Sequence, residues 1–150
     1  VGVGYNDTKI KDPGLAVAVC AACTVTDPKT AAGLALIDGN PLPQAPKNTA
    51  NFTLKYTVPM AGGDFYAYTD WAYRSKVNFF LYESTEFTGK ATLEGGLRLG
   101  YSWGNGKYDA AAYVRNITNQ IRIVGGIDFN NLTGFINEPR TYGVSFKASF

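Results

Sequence analysis

The sequence contains no histidine, one methionine and two cysteines among its 150 residues. Without histidine, the chain lacks the commonest general base and the commonest metal ligand in proteins. Charged residues make up 17%, below the usual quarter, and the net charge is only +2 with no basic run. We therefore predict that the chain is not an enzyme, holds no metal or cofactor, and has no nucleic-acid partner.

The chain also lacks an apolar run of about 20 residues, the length that a membrane-spanning helix needs. This absence does not exclude a membrane, because the strands of outer-membrane barrels are only about 10 residues long and half polar. Ten tyrosines, nine phenylalanines and 17 glycines indicate a β protein. There is no signal peptide or initiator methionine, and the strand-like start at Val1 predicts a mature protein or a piece of a longer one.

Six segments alternate between apolar and polar residues, which is typical of strands with two unlike faces. In the last segment Tyr142, Val144 and Phe146 share one parity, whereas Gly143 and Ser145 have the other. In the interior of each strand from the second onward, the charged residues are all at odd or all at even positions, so that they lie on one face. The predicted strands are 1–10, 47–58, 65–77, 90–103, 107–117 and 140–150.

The connections between these strands differ in length. The turns at 59–64 and 104–106 are short, and the Asn-Gly pair in the second is a strong hairpin signal. The connections at 11–45, 78–89 and 118–138 are long. We expect a short helix over Asp27–Leu36, where Asp27-Pro28 would supply the N-cap and the first helical residue, and a strand beyond the sheet over Ile121–Ile127.

The first long connection contains the two cysteines, in the order Cys20-Ala21-Ala22-Cys23. A C-x-x-C pair near a βαβ pattern would indicate redox chemistry, but no such pattern surrounds this one. Two thiols without histidine cannot complete a four-ligand zinc site within this chain. We predict a local disulfide between Cys20 and Cys23 that stiffens an exposed loop in an oxidising compartment.

Two architectures fit the alternation: a soluble β-sandwich with one wet face and a membrane β-barrel. The contrast between short and long connections favours the barrel, because outer-membrane barrels have short periplasmic turns and long external loops. Aromatic residues would then form a girdle at each end of the strands. The predicted inner girdle comprises Tyr56, Phe65, Tyr101, Trp103, Tyr108 and Phe150, and the outer one Trp71, Tyr73 and Tyr142.

Six strands are too few for a barrel, since the smallest have about eight and a lipid-exposed sheet edge is forbidden. The chain is therefore expected to be the end of a larger barrel. One alternative is a self-contained barrel of eight strands with a structural or adhesin-like role, in which Ala31–Leu42 and Ile121–Phe129 close the sheet. Another is a soluble β-sandwich that acts as a binding module.

Three segments resemble the late barrel strands of TonB-dependent outer-membrane receptors. Gly39–Asn51 is similar to that family's G-x-x-L-P-x-A-P-K-x-x-A-N segment before a late strand. Tyr113–Gln120 resembles its V-x-N-L-T-N strand end, and Asn137–Gly143, followed by Phe150, resembles its terminal P-R-x-Y-G…F strand. The resemblance covers roughly Gly39–Phe150, and the cysteine-containing loop has no counterpart.

This resemblance implies the six C-terminal strands of a 22-stranded antiparallel transmembrane barrel in the outer membrane of a Gram-negative bacterium. Such receptors take up a scarce nutrient, typically a ferric siderophore but also cobalamin or a glycan. The TonB system opens a plug domain that lies outside these residues. The resemblance also implies contact with outer-membrane lipid, and presentation of Tyr142, Phe146 and Phe150 to the barrel-assembly machinery.

Ligand contacts are expected on the lumen side and in the long loops. Tyr66, Tyr68 and Arg74 have lumen parity, and the second long loop offers further aromatic side chains. Aromatic rings and arginine can hold an anionic or aryl-rich metal chelate, although ordinary loop packing is the alternative for each loop residue. The loop candidates are Phe79, Phe80 and Tyr82. The acidic residues Asp70, Glu94 and Asp109 are expected to pair with Arg74, Arg98 and Arg115 across the wall.

Overall fold

The computed structural model describes residues 1–128 and 130–150, in which all regular structure is β. The predicted all-β class is thus confirmed. None of these described segments forms a helix that is long and apolar enough to cross a membrane. The strands are β1 (Gly2–Tyr5), β2 (Ala16–Val17), β3 (Ala35–Leu36), β4 (Asn48–Met60), β5 (Gly63–Arg74), β6 (Val77–Asn78), β7 (Thr88–Gly89), β8 (Thr92–Trp103), β9 (Tyr108–Arg115), β10 (Ile123–Asp128), β11 (Leu132–Ile136) and β12 (Thr141–Ala148).

The main element is a six-stranded sheet in the order β1-β4-β5-β8-β9-β12, with antiparallel neighbours throughout. These six strands lie where the alternation predicts them. The main difference is in the first strand, which ends at Tyr5 instead of continuing to residue 10. The backbone leaves the sheet there: the N–H of Asn6 still donates to Lys47 (2.9 Å), but Ile10 already bonds to Asn40 in the first long loop (2.9 Å).

The sheet is open, because β1 pairs only with β4 and β12 only with β9 in the described chain. The two segments that would complete an eight-stranded barrel lie elsewhere. Ala35–Leu36 pairs with Ala16–Val17, and Ile123–Asp128 pairs with Leu132–Ile136 as a separate hairpin. Phe129, the last residue of the second proposed closing strand, lies outside the described residues. The hairpin agrees with the strand expected beyond the sheet.

Two tight turns join the strands at one end of the sheet. Met60 pairs with Gly63, so only Ala61 and Gly62 form the first turn, and both have positive φ (45° and 81°). Turns with this left-handed backbone match the twist of the flanking strands. The second turn, residues 104–107, is closed by a hydrogen bond from the N–H of Lys107 to the carbonyl of Gly104 (3.2 Å).

The two faces of the sheet differ in chemistry. Strand register aligns the apolar parity of all six strands on one face, and this apolar face is exposed: Leu54 by 55%, Tyr56 by 66% and Val144 by 86%. The opposite, polar face carries the charged and hydroxyl side chains. A sheet normally buries its apolar face, but here the described residues leave it uncovered.

The hydrophobic core lies outside the sheet, where the three long loops fold together. We call residues 6–47, 75–91 and 116–140 the cap. Its buried hydrophobic residues come from the first two loops, and Ala35 and Ile37 are at 0% exposure. The core residues are Cys20, Ala35, Ile37, Val77, Phe79, Tyr82 and Phe87.

Within the cap, the helix predicted over Asp27–Leu36 is wrong. The segment forms a small hairpin, in which Lys29 bridges Ala35 and the N–H of Thr30 donates to the carbonyl of Leu34 (2.8 Å). Asp27 does cap backbone N–H groups, but not those of its own segment. Its carboxylate accepts from the N–H of Glu83 (2.7 Å) in the second loop.

Candidate ligand-binding face and loop cap

A hydrogen-bonded network occupies the middle of the polar face. Arg98 on β8 donates through Nη2 to Asp109 on β9 (3.1 Å) and to Ser145 on β12 (2.9 Å). Its Nε donates to the hydroxyl of Tyr66 on β5 (3.1 Å), which in turn donates to Asp109 (3.1 Å). One guanidinium therefore joins four strands through charge-assisted bonds, which are stronger than bonds between neutral groups.

Small residues make this network possible. Register places Gly100 beside Tyr66 and Ala111 beside Gly100. A Cβ on Gly100 would lie 2.3 Å from Cζ of Tyr66, so the tyrosine ring covers that strand where a side chain would stand. The ring is 9% exposed, and the ammonium of Lys55 lies 5.1 Å from its centroid.

A groove of about 660 Å³ opens on the polar face between this network and the cap. Tyr68 lines both this groove and the smaller cavity around Tyr66. The polar side chains of the groove present carboxylate, guanidinium, phenol and amide groups. They are Tyr68, Asp70, Glu94, Arg98, Tyr113, Arg115, Asn116 and Glu138.

The ion pairs on this face agree only in part with those expected. Arg98 pairs with Asp109, and Arg115 pairs with Glu138 from the third loop (3.6 Å). Glu94 accepts instead from the side-chain amide of Asn137. Arg98 stands opposite Tyr113 in the strand register but bonds diagonally to Asp109, and the small residue Ala111 lies between Tyr113 and Asp109 on that face.

Arg74 ends β5 at the cap end of the polar face, opposite Thr92. Its Nε and Nη2 are buried, and neither has a hydrogen-bond partner among the described residues. Buried donors are almost always paired in proteins. Arg74 therefore has two donors that no described residue satisfies, and an oxyanion would reach these shielded atoms only after the side chain or its neighbours moved.

The three aromatic loop candidates pack against each other in the cap. Phe79 and Tyr82 are only 5% and 4% exposed. The ring of Phe80 stacks on Tyr82 at 5.6 Å and meets Phe87 edge-on at 4.8 Å. Their positions agree with ordinary loop packing, and contact with a ligand stays a prediction. The sequence could not separate these roles, because a buried and an exposed loop aromatic look alike.

Tyr82 connects all three loops of the cap. Its hydroxyl donates to Asp128 in the third loop (2.7 Å), and its side chain belongs to the same buried cluster as Cys20 of the first. Burial and the hydrogen bond to Asp128 raise the pKa of Tyr82 far above its ordinary value. A disulfide joins Cys20 to Cys23, whose Cα atoms are 5.6 Å apart, so a closed four-residue ring sits against this tyrosine.

Glu86 makes a second link between the first two loops. Its carboxylate accepts from the backbone N–H of Thr24 (2.8 Å) and from the hydroxyl of the same residue (2.9 Å). The backbone N–H bond from Thr24 is the main reason that the pKa of Glu86 lies below its ordinary value. The sequence offered no signal for this pair, since the two residues are 62 positions apart.

Aromatic rings gather at the turn end of the apolar face. Trp103 stacks on Tyr101 (5.8 Å between centroids) and on Tyr108 (5.5 Å), and Phe146 lies 6.2 Å away. Three of these residues belong to the predicted inner girdle. The residues predicted for barrel assembly, Tyr142, Phe146 and Phe150, are strongly exposed, although Phe150 lies beyond the end of β12.

Comparison with protein-family models, curated proteins and solved structures finds no match for this chain. In the described part of the chain no group of three or more histidine, cysteine, aspartate or glutamate side chains is arranged to hold a metal ion. A functional interpretation therefore depends on the two faces of the sheet, on the cap, and on the motif resemblance.

Proposed function

We propose that this chain forms barrel wall and external loops of a TonB-dependent outer-membrane receptor. The observation that carries the proposal is the exposed apolar face on a sheet whose other face is polar. In a membrane barrel, lipid covers the outer face and the lumen is polar. A cap of three long loops at one end and two short turns at the other agree with external and periplasmic sides.

Strand length supports the same proposal. β5 and β8 each contain 12 residues, which corresponds to about 40 Å of extended chain. Strands in outer-membrane barrels are tilted by about 45°, so this length spans roughly 28 Å along the membrane normal. The apolar band of such barrels is about 25 Å tall.

The Arg74 end of the polar face suits an anionic ligand that carries oxygen atoms or aromatic rings. The unpaired donors of Arg74 lie at the cap end of this face, and Tyr68 and Tyr113 line the groove below. A ferric chelate with carboxylate or catecholate groups has the matching chemistry. Energy would come from TonB acting on a plug domain, as the resemblance implies.

Surface labelling tests the orientation. A short epitope is inserted at Gly33, in the exposed cap turn, or between Ala61 and Gly62, in the first tight turn, of the full-length protein in a Gram-negative host. Antibody should label intact cells only with the first insertion, and should label the second after permeabilisation. Recovery of the protein in the soluble fraction would instead support a β-sandwich module.

Uptake tests the receptor role. A host lacking its own siderophore receptors is supplied with ferric citrate, ferric enterobactin, ferrichrome or cyanocobalamin as labelled probes. One probe should accumulate only with an intact TonB system, and Arg74→Gln should reduce that uptake about tenfold, as expected for loss of a charge-assisted pair. Lys107→Gln, at the opposite end of the sheet, is the matched control. TonB-independent accumulation would contradict the proposal.

A further inference from the structure

A second cavity lies at the edge of the cap, away from the groove on the polar face. Its volume is about 610 Å³. The walls come from the chain just after β1, the chain just before β4, and the chain just after β5. Its charged lining residues are Asp7, Lys9, Lys47, Lys76 and Glu83.

Both carboxylates in this cavity are already engaged. Asp7 forms an ion pair with Lys47 at 3.3 Å, and Glu83 accepts from the side-chain amide of Asn78 at 2.6 Å. By contrast, the ammonium groups of Lys9 and Lys76 have no carboxylate within 4.0 Å anywhere in the described chain. The amide of Asn78 is neutral, so Glu83 keeps its charge and the charged lining residues carry a net charge of +1, with Lys9 and Lys76 lacking an ion-pair partner among the described residues.

Two hydroxyl groups add further donors. The oxygen of Thr8 accepts from the N–H of Leu42 (3.1 Å), and that of Ser75 accepts from the N–H of Asn48 (3.0 Å). A hydroxyl that accepts in this way still has its own hydrogen to donate. Neither hydroxyl donates to another described residue, so both hydrogens are available to a ligand in the cavity.

The backbone holds the two free lysines in place. Lys9 precedes Ile10, which exchanges hydrogen bonds with Gly39 and Asn40 (2.9 Å each). A Cβ on Gly39 would lie 3.6 Å from Cε of Lys9, so the lysine stem passes close to this glycine. Lys76 stands next to Val77, which is 4% exposed. The backbone is thus anchored beside both lysines, whose side chains are exposed.

We propose that this cavity binds an oxyanion of the phosphate class. Two ammonium groups and two hydroxyl donors around one cavity match a tetrahedral anion with several acceptor oxygens. The cavity lies at the cap end of β4 and β5, where the apolar face ends. The anion is either free phosphate or a phosphomonoester headgroup of a lipid, and the second source rests on the membrane orientation proposed above.

Binding is measured with the full-length protein, purified in a phosphate-free, non-ionic detergent. The first probe is inorganic phosphate, and its binding is measured by calorimetry at low ionic strength. The second probe is phosphatidic acid. The protein is placed in nanodiscs of phosphatidylcholine or in nanodiscs containing 20% phosphatidic acid, and native mass spectrometry detects the lipid that stays bound. The test variant is Lys9→Gln/Lys76→Gln, and the matched control with the same charge change is Lys29→Gln/Lys90→Gln.

We expect saturable binding of one probe, weakened at least tenfold in the test variant and unchanged in the control. Saturation by inorganic phosphate in detergent identifies free phosphate, and selective retention of phosphatidic acid identifies the lipid headgroup. Absence of binding to both probes, or equal loss in both variants, would overturn the inference. The phosphate titration requires neither uptake nor TonB, so its result is distinct from failure of the proposed function.

Discussion

Tyr82 links three loops that are distant in sequence, through its hydroxyl to Asp128 and through its buried ring to the first loop. Replacing Tyr82 by phenylalanine keeps the ring but leaves Asp128 without this partner. Asp128 is exposed, so water can replace the phenol, and loss of one hydrogen bond of this kind costs about 0.5–1.5 kcal/mol. Hydrogen exchange should therefore show a smaller opening free energy for amides of the cap, with little change in β8.

Tyr113→Phe is the matched control for this prediction. It also removes one phenol hydroxyl, but that hydroxyl has no hydrogen-bond partner in the described structure, and the ring still covers Gly143. Faster exchange in the cap of both variants would show that the link through Tyr82 does not hold the loops together.

Glu86 should make the cap sensitive to acid. Because its pKa is depressed in the folded protein, its stabilising effect is complete above the ordinary value of 4.5 and is lost as pH falls through the folded value. Limited proteolysis between pH 6 and pH 3 should show the cap opening as pH falls. At pH 6 the cap of Glu86→Gln should be cleaved more readily than that of the unmodified protein, and its cleavage should increase less as the pH falls. If the two proteins show the same dependence of cleavage on pH, Glu86 does not have this role.

At the scale of the strand, Gly100 determines how closely β8 can approach the ring of Tyr66. Gly100→Ala would place a methyl group 2.3 Å from Cζ of Tyr66. The ring cannot move away without breaking the hydrogen bonds of its hydroxyl to Arg98 and Asp109. Overpacking of this kind costs about 1–3 kcal/mol. The unfolding temperature, read from gel mobility after heating in detergent, should fall.

Gly134→Ala in β11 is the comparison. The nearest atom to its new methyl group would be Cγ2 of Ile123 at 3.6 Å, an ordinary contact, so the unfolding temperature should hardly change. Equal effects of the two alanine substitutions would mean that loss of glycine itself, and not the contact with Tyr66, is responsible.

The strands could be predicted from the sequence because apolar and polar residues alternate along them, so that the type of each residue indicates the face on which it lies. β4 and β8 illustrate this, since apolar and polar residues alternate along both. The cap could not be predicted in this way. Asp27-Pro28 has the local pattern of a helix start, but Asp27 bonds to Glu83, 56 positions away, and such long-range partners leave no periodic trace.

For the candidate site too, the sequence predicts on which face a residue lies but not which residues it contacts. Strand parity correctly placed Tyr66, Tyr68 and Arg74 on one face, but it could not show that Tyr66 lies inside a network with Arg98. Register between strands decides which side chains meet, and glycine or alanine at a neighbouring position decides how far they can reach. Neither is visible along a single strand.

For the whole molecule, the central question is what covers the apolar face. Leu54 is the middle residue of β4 and is 55% exposed, and its neighbour Thr53 points to the polar side. Arginine on the lipid face near the bilayer midplane costs about 2–4 kcal/mol. Leu54→Arg should therefore lower the folded fraction in phosphatidylcholine vesicles along a urea series.

Thr53→Arg introduces the same side chain one residue away, on the other face, and should fold nearly as well as the unmodified protein. If both variants fold equally in vesicles, lipid does not contact the face that carries Leu54. If both variants lose the same folded fraction, the arginine disturbs β4 itself, and the loss says nothing about what covers either face.

The shared core of the cap has a mechanical consequence. Each long loop joins two strands, and the three loops are fastened to one another through Tyr82, Glu86 and Asp27. A pull on any one loop must therefore be transmitted to the other two before the core separates. Movement of the cap should be a rigid-body swing, with its hinges at the short segments where the chain leaves the sheet, such as Asn6 and Ser75.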